Sequence, residues 1–184
     1  MNTEERIVKA FKEMARQQGF YAVKMDELAA RAGITKKTIY AYFSSKQDLV
    51  EKVVYAFISD ISFQLESIIN KADLIDSISS TIESLLKEGA FLFNLRSLQD
   101  LQTYYLEAWQ QIEDLRINMI TSVVEVIYKQ TKKKWVLEID PRIFKEAFLA
   151  MDRRFSTPEF AVELGLPIEQ VTIQVAKLYI YPFL

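Results

Sequence analysis

Apolar side chains recur along this chain at intervals of three and four, with few interruptions. Ile7, Ala10, Phe11 and Met14 stand at i, i+3, i+4 and i+7, the spacing that gathers one face of an α-helix. That helix should stop near Gly19 in RQQGF, because glycine suits the residue after a helix end. A second helix is predicted over 25–32, burying Leu28, Ala29 and Ala32 and halted by Gly33. Thr35 makes a good N-cap for a third over 36–43, in which Ile39 and Phe43 share a face.

SSKQD then restarts the chain, with Ser44 and Gln47, or Ser45 and Asp48, at capping-box spacing. No glycine or proline follows until Gly89, so a fourth helix should run to about residue 70, roughly 37 Å at 1.5 Å per residue. Further helices are expected at about 73–88, 91–102, 106–130, 141–154 and 167–181, with a short turn at 158–164. Asp140-Pro141 and Thr157-Pro158 are cap-then-proline starts, and Pro167 suits a first helical position. The basic run TKKK at 131–134 reads as a solvated connection. The predicted fold class is all-α.

Composition narrows the chemistry. Of 184 residues, 50% are hydrophobic and 12% aromatic, enough for a sizeable core in one compact domain or a module of something larger. There is no cysteine and no histidine, which excludes disulfides and thiolate metal sites and removes the commonest general base. No metal or cofactor site is expected. No apolar run reaches the ~18 residues that cross a bilayer, so a cytoplasmic protein with no membrane partner is expected.

The net charge of −2 conceals an asymmetry: residues 1–46 hold nine Lys and Arg against five Asp and Glu, and the rest is correspondingly acidic. The basic part also contains two short helices joined by a glycine-containing turn, the sequence form of a helix-turn-helix whose second helix enters the DNA major groove. With Ile39 and Phe43 facing inward, Lys37 and Ala41 point away from the core, with Thr38 and Tyr40 beside them and Tyr42 nearer the core side. Lys46 falls in the first turn of the fourth helix, where the dipole disfavours a cation by ~0.3–1 kcal/mol. With no internal gain in view, a phosphate beside the same amides would turn that penalty into an anion site.

GFYAVKMDELAARAGITKKTIYAYFSSKQDLV, residues 19–50, resembles the DNA-binding signature of the tetracycline-repressor (TetR) family of bacterial transcriptional regulators. The shared elements are G-F at the end of the first helix, LAARAGIT through the second helix and turn, T-I-Y-x-Y-F on the third, and S-K-x-D-L opening the fourth. The resemblance implies an N-terminal helix-turn-helix domain, 1–46, and a helical domain, 47–184, that binds a small effector and dimerises. It implies a recognition helix at 36–43, capped by Thr35, with Lys36, Lys37, Thr38, Tyr40 and Tyr42 near DNA and Lys46 on a phosphate. Lys37 and Ala41 would be the base readers, lysine suiting guanine O6/N7 and alanine a thymine methyl. The sequence departs from the family at Lys37, where a small residue is common, and at Lys24, where a capping Thr or Ser is common before the second helix. It departs again at Leu106, where proline is frequent.

For an effector pocket, the aromatics of the central helices are nominated: Phe57, Phe91, Phe93, Tyr104, Tyr105 and Trp109. They suit an apolar or aromatic ligand. For a homodimer interface, the terminal helix IEQVTIQVAKLYIY and the preceding stripe Phe144, Ala147, Phe148 and Met151 supply apolar surface. Phe144, Phe148, Met151, Val171, Val175, Leu178 and Tyr179 are its candidate residues, with burial inside the monomer as the alternative. The chain ends on Pro182-Phe183-Leu184 without a polar tail, the kind of end a truncated chain has.

The expected function is therefore a ligand-responsive repressor that binds a pseudo-palindromic operator and is not an enzyme. The rival is a helical enzyme or ligand carrier with an incidental helix-turn-helix. It would have to act through carboxylates, and Glu107, Glu113 and Asp114 show no pairing in sequence beyond ordinary solvated faces.

Overall fold

The structure, a computed structural model, describes residues 1–69 and 87–180, less the side chains of 65–69, 130, 179 and 180. The described residues form helices and turns with no strand among them, so the all-α reading holds. The helix predicted over 73–88 lies outside the described residues except for its last two, and so does the side chain of Tyr179. Packing divides the chain into two compact units. The first is Met1–Ser59 with Glu88–Ile112; the second is Glu113–Leu184 with the described residues of Asp60–Lys87. These packing units differ from the segments 1–46 and 47–184, because residues 88–112 and the start of the fourth helix pack with the N-terminal helices.

In the first unit, α1 (Thr3–Gln18) opens on a capping box in which Asn2 accepts the Glu5 N–H and Glu5 accepts the Asn2 N–H. Ile7, Ala10, Phe11 and Met14 are all buried, as their spacing requires. The N-cap of α2 (Met25–Ala32), Lys24, makes no side-chain cap bond; it pairs with Glu27 at 3.5 Å. Past the end of α2, Ile34 N–H bonds to the Ala29 carbonyl and Gly33 N–H to the Ala30 carbonyl, the double bond of a Schellman ending. Gly33 sits at φ +65°, where an L side chain is strained, and an added Cβ would stand 2.9 Å from the Arg6 guanidinium. That guanidinium donates to the Ala32 and Gly33 carbonyls and so ties α1 to the turn.

The third helix, α3 (Lys36–Tyr42), is one residue shorter than its pattern suggests, and Phe43 reaches the core from an extended C-cap. Of the two capping spacings before α4 (Lys46–Ile69), Ser45 and Asp48 is the one that forms. Ser45 Oγ accepts the Asp48 N–H at 3.0 Å, and the Asp48 carboxylate reaches one residue further back, to the Ser44 N–H at 2.7 Å.

The helix expected at 91–102 begins late. Gly89 accepts from the Leu92 and Phe93 N–H groups, which makes 89–94 a turn, and Asn94 then caps α5 (Leu95–Tyr104) by accepting the Ser97 N–H at 2.9 Å. Tyr105 breaks the helix in a non-helical conformation, and α6 (Leu106–Gln130) starts at once without a proline.

The second unit takes the rest of α6 with α7 (Lys134–Leu137), α8 (Pro141–Phe155), α9 (Pro158–Leu164) and α10 (Ile168–Ile180). Lys134 opens α7, which corrects the reading of 131–134 as wholly connection. Asp140 and Thr157 cap α8 and α9 as expected, each before a proline in the first helical turn. The buried face of α8 is Phe144, Phe148, Leu149 and Asp152. Ala147 is exposed and Met151 half-buried, so the expected stripe is corrected: its inward row ends on an aspartate. Asp152 is tolerated there because Arg116 Nε meets it at 2.7 Å, while the same guanidinium holds Glu113 at 2.9 Å.

Candidate nucleic-acid interface

The core of the first unit fixes what α3 can present. Ile39 and Phe43 are 0% and 1% exposed, whereas Tyr40 and Tyr42 are each 43% exposed. Tyr42 is thus no nearer the core in effect than Tyr40, because it ends the helix. Lys36, Lys37 and Ala41 are exposed and Thr38 is half-buried. Thr35 Oγ1 accepts the Thr38 N–H at 3.1 Å and lies 2.9 Å from the Thr38 hydroxyl, which fixes the entry of the helix.

The cations on this surface differ. Lys36 pairs with Asp26 of α2 at 2.9 Å, and that hydrogen bond raises its pKa above the ordinary value. So exposed a pair contributes little to stability, and a phosphate can replace Asp26 at little cost. Lys37 makes no hydrogen bond or ion pair among the described residues and offers its whole charge to the exterior. Lys52, which the sequence pattern did not single out, donates to the Tyr42 carbonyl at 3.3 Å and lies over the Phe43 ring, 5.2 Å from its centre. A lysine one turn inside α4 on the side of its cap was the available signal.

Lys46 corrects an expectation. Its ammonium has an internal partner, the Tyr21 carbonyl at 2.6 Å, and lies 5.6 Å from the centre of the Tyr21 ring. Burial pushes its pKa below the ordinary value, and the Asp100 carboxylate acts the other way. The Tyr21 N–H in turn donates to Asp100 at 2.8 Å, and the Tyr21 ring stacks on Tyr104, 4.1 Å between centres. Nothing in local periodicity announces a partner this distant in sequence.

The nominated effector aromatics are placed as follows. Phe57, Phe91 and Tyr105 are buried; Phe57 packs edge-on to Phe91 and Phe93, and Phe20 edge-on to Phe91 and Tyr105. Burial pushes the Tyr105 phenol up to about 12. Tyr104 is exposed on Tyr21, while Phe93 and Trp109 are half-buried. None of the six lines the groove of about 400 Å³ in the second unit. There Val124, Tyr128 and Pro141 lie beside Lys129, Arg142 and Lys145, and each cation already faces a carboxylate.

Of the dimer candidates, Phe144, Phe148, Val171 and Val175 are buried within the single chain, whereas Leu178 is exposed. Among the described residues no cluster of acidic side chains could hold a metal ion, and no described helix is long and apolar enough to cross a membrane.

Comparison with known proteins bears on the same surface. Residues 7–53, from α1 into α4, match the family model of the bacterial regulatory proteins, tetR family. Over 162 residues, 87% of this chain and 84% of the relative, the sequence is 28% identical to YvaF of Bacillus subtilis, described as an uncharacterized HTH-type transcriptional regulator. A TetR transcription regulator from Haloarcula marismortui shares the fold with a TM-score of 0.69 at 14% identity, covering 98% of this chain and 97% of its own. The regulator FadR of Bacillus subtilis, solved in complex with stearoyl-CoA, does so at 0.63 and 19%, covering 96% and 97%. A basic, hydroxyl-bearing α3 set on a glycine turn thus lies within a segment, residues 7–53, that is similar to the bacterial regulatory proteins of the tetR family.

Proposed function

We propose that this chain is a ligand-responsive repressor that occupies a pseudo-palindromic DNA operator as a homodimer and leaves it when a small effector binds. The observation that carries the reading is the division of α3: Ile39 and Phe43 are sealed in the core while Lys37, Tyr40, Ala41 and Tyr42 face outward. Lys37 and Ala41 read base edges; Thr35, Lys36, Thr38, Tyr40, Tyr42 and Lys46 hold the backbone. Two such helices about a two-fold axis meet half-sites whose centres lie ~34 Å, or a multiple, apart.

For the dimer, α8 offers a second apolar row beside its buried one. Ile143, Ala147, Ala150 and Met151 stand at i, i+4, i+7 and i+8, exposed or half-buried, and with Leu178 they have area left to give to a partner. The effector is apolar or aromatic in this reading, with Phe93, Tyr104 and Trp109 the nominated aromatics that keep some free surface. Long-chain acyl-CoA, held by the FadR relative, is the first class to screen. Effector binding favours a dimer whose α3 helices are wrongly spaced for the groove, with α4 as the lever. Effector and operator affinities then oppose each other by one common factor.

A gel shift with DNA from upstream of the chain's own gene is the test. A shift that unlabelled upstream DNA competes away and random DNA does not is the expected result. Equal competition by both would leave a non-specific DNA-binding protein and remove the operator from the reading.

A further inference from the structure

We infer that Asp100, acting through Tyr21, positions the Lys46 ammonium for the DNA backbone; this rests on the reading above that Lys46 meets a phosphate. The two ends of one residue carry the connection. The Tyr21 N–H donates to Asp100 Oδ2 at 2.8 Å, and the Tyr21 carbonyl accepts from Lys46 Nζ at 2.6 Å. Tyr104, one turn beyond Asp100 on α5, stacks on the Tyr21 ring with planes 19° apart and fixes the residue from its side-chain end. All of these groups belong to the first unit.

Lysine has a long stem whose freedom must be lost before it can hold a phosphate at a fixed point. Here the ammonium is already held, and by a neutral group. An ammonium has three N–H donors and the carbonyl takes one, so two donors and the full positive charge remain for an anion. Had Asp100 met Lys46 directly, its carboxylate would have neutralised that charge. Instead its Oδ2 is engaged by a backbone amide, and its field opposes the lowering of the Lys46 pKa that burial causes. Asp100 is therefore a positioning residue at a site that touches DNA through Lys46.

The test is the salt dependence of binding to a short fluorescent duplex of random sequence. It compares the unaltered chain with Lys46→Ala, Asp100→Ala, Asp100→Asn and the Lys46→Ala/Asp100→Ala double variant. Lys46→Ala should lower the slope of log affinity against log salt by about one. Asp100→Ala should reproduce most of that loss, and Asp100→Asn, which keeps an oxygen for the Tyr21 N–H, should restore it. The double variant should bind no more weakly than Lys46→Ala alone. Full additivity of the two losses, or a normal slope in Asp100→Ala, overturns the inference. An unchanged slope in Lys46→Ala overturns the underlying phosphate reading instead. If Asp100→Ala does not fold, Tyr104→Ala, at an exposed ring, takes its place, and its weakening must likewise vanish in the Lys46→Ala background.

Discussion

Arg116 meets Asp152 at 2.7 Å and joins α6 to α8 through an aspartate that is only 8% exposed. Removing one partner of a buried pair strands the other, at a cost of ~3–5 kcal/mol. Arg116 keeps Glu113 at 2.9 Å, so Asp152→Ala should fall at the low end, roughly 3 kcal/mol. Arg116→Met/Asp152→Leu should recover most of that loss. Urea unfolding of the two variants checks both statements, and a double variant as unstable as the single one would show that the pair is needed for more than charge compensation.

Lys37 stands alone at the exposed start of α3. Lys37→Ala should weaken operator binding and also flatten discrimination at one base position, by about 1–3 kcal/mol in the competition between cognate and altered duplexes. Lys36→Ala, which removes an exposed partner of Asp26, should weaken all duplexes alike. A Lys37 variant that keeps its base preference would move Lys37 to the phosphate contacts.

The outward row of α8 makes a prediction about assembly. Ile143 is 66% exposed at the head of that row, and Ile143→Glu should shift the chain from dimer to monomer in sedimentation at micromolar concentration. Its helix content should be unchanged. A dimer indifferent to this charge would place the two-fold contact elsewhere.

Stability should fall in acid partly through Asp48. The Ser44 backbone N–H, with Lys52 and the Ser44 hydroxyl, holds its carboxyl below the ordinary value of 3.8. A group depressed in the folded state stabilises above its unfolded pKa, about 3.9, and loses that contribution as pH falls through the folded value. Thermal melting of Asp48→Asn should therefore be lower than that of the unaltered chain near neutrality, with the gap closing below about pH 4. A gap independent of pH would assign the effect to the cap geometry alone.

The parts legible in the sequence are those set by near neighbours. The bounds of α2, the Thr35 cap, the Asp140-Pro141 and Thr157-Pro158 starts and the inward pair Ile39 and Phe43 all follow from spacings within one or two turns. The late start of α5 was also written locally, in Asn94 and Ser97, but a cap competed there with an apolar run that begins at Phe91. What periodicity could not carry is partnership across the chain: Asp152 on an inward face because of Arg116, and Lys46 held by Tyr21. The same limit applies to α8, where two adjacent apolar rows give no sign of which one its own chain covers. The outward face of α3 escaped this limit because a short helix between a glycine turn and a serine cap has only one way to face.

Gly19 lies so close beneath α5 that a Cβ there would stand 2.5 Å from Asp100 Oδ2. Positions 19 and 100 are therefore coupled in space despite their separation along the chain. A side chain at 19 would push that oxygen aside, and the same oxygen accepts the Tyr21 N–H, so the seat of Tyr21 would move with it. The conformation of the turn before α2 is in this way tied to a residue well outside the segment 7–53 that resembles the tetR regulators.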